Sequence, residues 1–108
     1  NVDATKRLSP EAEAGAFHVI REAVTNAIKT GRATTVSIDV RQEPGATVAL
    51  VEDDGVGFDV GATLATYGSR GSLGLLQMRE SARLIGAQLT IDSSPGQGTR
   101  VRLRIPAP

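Results

Sequence analysis

Between positions 10 and 30 apolar side chains return every three or four residues, as Phe17, Ile20, Val24, Ala27 and Ile28. At ~100° per residue such positions share one face, so the spacing predicts a helix. Ser9-Pro10-Glu11 supplies its start: a hydroxyl to cap free amides, a proline that needs no amide hydrogen, and an acid in the first turn. Gly31 is its expected stop. From Thr35 to Arg41 the period changes to two, placing Val36, Ile38 and Val40 on one side of a strand. Glu43-Pro44-Gly45 reads as a turn, and Thr47 to Glu52 as a second, more apolar strand that ends at two acids. Residues 55–74 hold six glycines and no sustained period. They read as a long connection, of a length that in compact domains usually carries function. Leu75, Met78, Ala82 and Ile85 then mark a second helix closed by Gly86, and Leu89 and Ile91 a third strand. After the tight turn Ser94-Pro95-Gly96-Gln97-Gly98, the last strand alternates Val101, Leu103 and Ile105 with Arg100, Arg102 and Arg104. The order is helix, hairpin, loop, helix, hairpin, which predicts an α+β sandwich with its helices on one face of the sheet.

Composition narrows the function classes. The 108 residues predict one domain, and the patternless, abrupt stretch 1–8 suggests an N-terminally truncated fragment of something longer. Twelve basic residues balance twelve acidic ones, which argues against a nucleic-acid or anionic-membrane partner. With no cysteine there is no disulfide framework and no zinc–thiolate site, and a reducing, cytoplasmic setting fits. No apolar run approaches the ~18 residues of a membrane span. Only Phe17, Phe58 and Tyr67 are aromatic, too few for a base-stacking platform.

Four segments carry candidate chemistry. On the first helix Glu22, Asn26 and Lys29 fall within about 60° of one another, roughly opposite the expected apolar set. That row is either a solvated face or a working set of carboxylate, amide and ammonium. In the second case the amide oxygen suits a hard cation such as magnesium, the lysine a phosphate, and the glutamate a nucleophile. Asp53-Asp54-Gly55-Val56-Gly57 is either a loop opening or a carboxylate fixed at a strand end beside a bare backbone. It lacks the ligand spacing of a calcium loop and the glycine spacing of a dinucleotide fingerprint. A carboxylate there could accept from the exocyclic amine of adenine, with glycines leaving room for the base. Gly71 and Gly74 stand just ahead of the expected second helix, where free amides and the helix dipole attract anions. Gly96-Gln97-Gly98-Thr99 is a hairpin turn that adds one hydroxyl.

Taken together, and in this order, the segments resemble the ATP-binding domain of sensor histidine kinases, in the superfamily shared with gyrase-type, chaperone-type and mismatch-repair-type ATPases. "REAVTNAIK" resembles its asparagine box, and "DDGVGF", "GSLGLLQMRE" and "GQGT" its three glycine boxes. The wording is closest to the nitrate-sensor or DesK-like branch. The resemblance implies a two-layer α/β sandwich of the Bergerat type with a mixed, mostly antiparallel sheet. It implies ATP and Mg2+ as ligands, with Asn26 on the metal and Glu22 in the place of the general base. It further implies Lys29 at phosphate and Asp53 at the adenine amine, with Gly55 and Gly57 lining the base. Gly71, Ser72, Leu73 and Gly74 would offer amides to the phosphates, and Thr99 would hold adenine through water. Residues 58–71 would act as a lid.

The family usually has His where this chain has Thr30, and its branch commonly has Arg where this chain has Ser81, which puts turnover in question more than binding. His18 is the sole histidine and lies within the first helix, whereas the family keeps its phosphate acceptor on a separate dimerisation helix. The expected partners are therefore a histidine-bearing dimerisation domain of the same kinase and, downstream, a response regulator. No nucleic-acid or membrane contact by this domain is expected, and the isolated domain should be a monomer unable to autophosphorylate alone. Two alternatives remain open at this level: a serine kinase of the anti-sigma type, and a degenerate module that only transmits conformation.

Overall fold

The computed structural model describes residues 8–60 and 70–107, with the backbone alone at 70–73. Its elements are α1 (Pro10–Lys29), β1 (Val36–Glu43), β2 (Ala46–Asp53), α2 (Arg70–Leu84), β3 (Gln88–Ser93) and β4 (Thr99–Pro106). The four strands form one sheet in the order β1-β2-β4-β3, and all three pairings are antiparallel. The centre of the long connection, 61–69, lies outside the described residues, and with it most of the expected lid.

Period-two patterning and register together build the sheet's buried face. Ala49 pairs with Leu103 and Val51 with Val101, and these four side chains are buried. The opposite face carries Glu52, Arg100, Arg102 and Arg104, with Arg100 in an exposed ion pair to Glu52 at 2.9 Å. Helix α1 packs over β2 and β4, α2 packs over β3, and the helices pack against each other. This is the expected two-layer sandwich. Edge strand β1 lies beyond their cover, so Ile38 and Val40 stay about half exposed although they share the helix-side face.

Ser9 caps α1 as expected, its hydroxyl accepting from the Ala12 amide at 3.1 Å, with Pro10 at the first helical position. The helix's phase differs from the sequence reading. Its buried line is Ala16, Val19, Ala23 and Ala27, while Phe17 and Ile28 are 61% and 60% exposed. Small side chains occupy the line of closest approach because α1 sits tightly against both the sheet and α2; bulkier residues there would hold the layers apart. The helix ends at Lys29, and the left-handed residue that turns the chain is Arg32 (φ 51°) rather than Gly31. Helix α2 begins at Arg70, several residues earlier than the apolar pattern indicates, so Gly71 to Gly74 belong to the helix rather than to the loop before it.

Candidate functional site

Where α1, α2 and the ends of β2 and β4 meet, the fold leaves a cavity of about 300 Å³. Asn26, Asp53, Gly57 and Thr99 all line it, so segments distant in the chain converge on one space. Its remaining walls are mainly apolar, with Phe58, Leu75, Met78, Ile91 and Val101 among them. An apolar slot with a few polar groups at its edges suits a flat, largely uncharged ring that ends in a hydrogen-bonding group. The sequence reading missed these walls, because their spacing is that of ordinary core residues.

The two acids of the 53–54 pair separate. Asp53 and Thr99 are cross-strand partners at the last register position of β2 and β4, on the helix-facing side. One Asp53 oxygen, Oδ1, accepts from the Gly55 amide at 2.8 Å, and the side chain lines the cavity. Asp54 turns the other way. Its Oδ1 accepts from the Thr34 and Thr35 amides, both at 2.9 Å, and its Oδ2 from the Thr34 hydroxyl at 2.5 Å. These bonds, the Thr34 hydroxyl foremost, hold its carboxyl below the usual aspartate range. Asp54 thus fastens the α1–β1 loop.

The glycines that follow are required first by the protein's own backbone. A Cβ at Gly55 would collide with the Gly31 carbonyl oxygen. At Gly57 (φ 68°) it would collide with the Ser94 carbonyl, and at Gly98 (φ 73°) with that of Asp53. Amides complete the stitching, since Val56 donates to Gly31 at 2.8 Å and Gly96 to Val56 at 2.5 Å. Gly57 lines the cavity, whereas Gly55 does not and lies against the α1–β1 loop.

On α1, Asn26 falls within ~20° of the buried Val19 direction, and Lys29 lies about 60° farther round. Asn26 accordingly faces the cavity, while Lys29 is exposed and outside its lining. Glu22, half-buried, reaches toward α2 instead: a Cβ at Gly74 would lie 2.6 Å from Glu22 Oε1 and 3.3 Å from the Asn26 side-chain nitrogen. Gly74 therefore lets the Glu22–Asn26 pair approach the α2 backbone. The described part of α2 starts at Arg70, so Gly71, Ser72 and Leu73 fall in its first described turn. The amide of Gly74 comes after them, within reach of the Arg70 carbonyl as its intrahelical acceptor.

Ser93 has no counterpart among the residues singled out from sequence. Its Oγ accepts from the Phe58 amide at 2.9 Å, donates to the Gly98 carbonyl at 3.0 Å, and lies 2.8 Å from Thr99 Oγ1. Counting outward from the 94–98 turn pairs Ser93 with Thr99, which is the signal that would have found it. His18 is exposed on α1 and outside the cavity. Among the described residues no helix is long and apolar enough to cross a membrane. Nor does any group of three His, Cys, Asp or Glu side chains among them suit a metal ion.

Residues 11–108 match the family model described as histidine kinase-, DNA gyrase B-, and HSP90-like ATPase. An uncharacterized sensor-like histidine kinase of Chloroflexus aurantiacus is 44% identical over 101 residues, covering 93% of this chain and 17% of that protein. The signal transduction histidine-protein kinase/phosphatase DegS of Bacillus subtilis is 33% identical, covering 94% of this chain and 26% of DegS. The chain thus spans about a quarter or less of these relatives' lengths. Among solved structures, the histidine kinase domain of the blue-light activated kinase of Erythrobacter litoralis EL346 superposes with a TM-score of 0.72 at 25% identity. That match covers 90% of this chain and 45% of the other. The ATP binding domain of PrrB from Mycobacterium tuberculosis gives 0.70 at 28% identity, covering 88% and 68%. The chain belongs to the histidine kinase-, DNA gyrase B- and HSP90-like ATPase family, and its relatives there are sensor histidine kinases.

Proposed function

We propose that this domain is the ATP-binding catalytic module of a two-component sensor histidine kinase. It would bind Mg-ATP and present the γ-phosphate to a histidine on a dimerisation helix of the same kinase, with a response regulator downstream. The observation that carries this reading is the meeting of Asn26, Asp53, Gly57 and Thr99 around one cavity with apolar walls. The adenine ring would lie between Phe58, Met78, Ile91 and Val101, which exclude water from its faces. Asp53 would accept from the exocyclic amine, a hydrogen bond strengthened by the carboxylate's charge.

The triphosphate would run toward α1 and the first turn of α2. There the amides of Gly71, Ser72 and Leu73 would meet the anion together with the positive end of the helix dipole. Lys29, exposed at the end of α1, supplies a mobile positive charge to the same region. The donor set fits magnesium: an Asn26 amide oxygen, with the Glu22 carboxylate beside it over Gly74, leaves most of an octahedral shell to phosphate and water. When bound, the ion would neutralise charge on the phosphates. Gly55 and Gly74 serve the site through the close backbone approaches they permit.

Glu22 would orient the accepting group or take its proton. The relatives named above are histidine kinases, which favours a histidine over a serine as acceptor. His18, the only histidine of this chain, stands away from the cavity, so the acceptor would belong to another part of the kinase.

Calorimetric titration with Mg-ADP, using Mg-GDP as the control, tests the reading. The expected result is saturable heat for ADP and at least about tenfold weaker binding of GDP, a difference of one well-made polar contact. No heat from either nucleotide at millimolar concentration would overturn it.

A further inference from the structure

Ser93 stands outside the cavity, in a neighbouring groove, and Thr99 lines both spaces. Register explains the placement. Ser93, Thr99 and Asp53 are successive cross-strand neighbours on β3, β4 and β2, and so form one row across the end of the sheet. Three groups lie within hydrogen-bonding distance of Ser93 Oγ: the Phe58 amide, the Gly98 carbonyl and the Thr99 hydroxyl.

A serine hydroxyl has one proton and two lone pairs. The Phe58 amide can only donate and the Gly98 carbonyl can only accept. Ser93 therefore donates its hydrogen bond to the Gly98 carbonyl and accepts one from the Phe58 amide. The remaining lone pair faces Thr99, and a third bond forms only if Thr99 donates. The opposite assignment, with Ser93 donating to Thr99, leaves the Gly98 carbonyl without this donor and makes one bond fewer. The saturated arrangement fixes the Thr99 proton toward Ser93 and leaves only lone pairs for the cavity.

We propose that Ser93 is a positioning residue for base selection: by accepting the Thr99 hydrogen bond, it turns Thr99 into an acceptor beside the Asp53 carboxylate. Two neighbouring acceptors match a group that carries two hydrogens, such as the 6-amino group of a purine reached directly or through one water, and they disfavour a 6-carbonyl. The inference rests on the nucleotide-binding reading given above.

The test compares ADP with inosine diphosphate, which replaces the 6-amino group by a carbonyl and is otherwise nearly the same molecule. Affinities of both, with magnesium, are measured by calorimetry on the wild type, Ser93→Ala, Ser93→Thr and Thr99→Val. Removing the serine hydroxyl frees the Thr99 proton to meet a carbonyl. The ADP-to-inosine-diphosphate affinity ratio should then fall about fivefold or more, as expected for one exchanged hydrogen bond. Ser93→Thr, which restores a hydroxyl, should bring the ratio back toward that of the wild type. In a Thr99→Val background, Ser93→Ala should leave the ratio unchanged, because the two residues act through one bond.

A purely structural serine would weaken both ligands by the same factor, and an unchanged ratio in Ser93→Ala would overturn the proposal. Should that variant fail to fold, Ser93→Cys replaces it, since a thiol keeps the volume but accepts hydrogen bonds weakly; the same fall in ratio is expected, and its absence has the same meaning. If the wild type binds neither nucleotide, the nucleotide-binding reading itself fails. If it prefers ADP and the ratio does not move, the role of Ser93 alone is lost.

Discussion

Asp53 and Asp54 are adjacent, carry the same carboxylate, and end in different environments. Strand geometry sends successive side chains to opposite sides, so one acid faces the cavity and the other meets the α1–β1 loop. Asp53→Ala should weaken ADP binding roughly ten- to a hundredfold, since a hydrogen bond to a charged group contributes about 1.5–3 kcal/mol. Calorimetry checks this, and unchanged affinity would remove Asp53 from the base site. Asp54 makes a prediction about stability instead. Its carboxyl titrates below the ordinary aspartate value of ~3.9, because the Thr34 hydroxyl and the Thr34 and Thr35 amides favour the charged form. A depressed folded-state value means that the contribution is complete above the unfolded-state pKa and is lost as pH falls through the folded one. Urea denaturation should show wild type more stable than Asp54→Ala by a constant margin between about pH 5 and 8, narrowing below about pH 4. A margin that stays the same at pH 3 would contradict the assignment. Both carboxylates were legible as candidates from sequence. Which one would face the cavity followed from strand alternation only once the end of β2 was fixed.

Among the elements, α1 departed from its sequence pattern in phase, whereas α2 buries Leu75, Met78 and Ala82 as the pattern indicates. The buried line of α1 is mostly small residues, whose weak hydrophobicity is overshadowed in the sequence by Phe17 and Ile28. Gly74 extends this principle into the site. A glycine inside a helix is about 1 kcal/mol less favourable than alanine, so its presence in α2 needs a reason. The reason on the structure is the Glu22 carboxylate, 2.6 Å from where a methyl group would stand. Both side-chain atoms in the way, on Glu22 and Asn26, are ends of flexible groups, so the fold can adjust while the pair is displaced. Gly74→Ala should therefore leave the melting temperature unchanged or higher, and weaken magnesium-dependent nucleotide binding at least about fivefold. Thermal melts and calorimetry on one preparation test both halves; undiminished binding would show that the approach of α1 to α2 is immaterial to the ligand.

The whole molecule brings the α1–β1 loop, the strand end at Asp53 and the 94–98 turn into a stitched rim. Hydrogen bonds from Val56 to Gly31 and from Gly96 to Val56 join them, and three carbonyls stand where Cβ atoms would be. A ligand that bridges the rim and both helices should stabilise the fold as a unit. At a free concentration one hundred times its Kd, Mg-ADP should add about 2.7 kcal/mol to unfolding. Asn26→Ala should lose the part of this gain that depends on magnesium and keep the metal-free part, as read by thermal denaturation with ADP in magnesium and in EDTA; an undiminished magnesium increment would remove Asn26 from the metal site. The sequence by itself determined the order of elements, the buried face of the central strands, the N-terminus of α1 and the four segments with candidate chemistry, because each depends on local periodicity or on residue chemistry over a few positions. Only the tertiary structure decided the phase of α1, the partners of each glycine, the apolar walls of the cavity and the place of Ser93. Those depend on which backbones approach most closely and on how strands pair across the sheet, and both are set by packing between segments that are far apart along the chain.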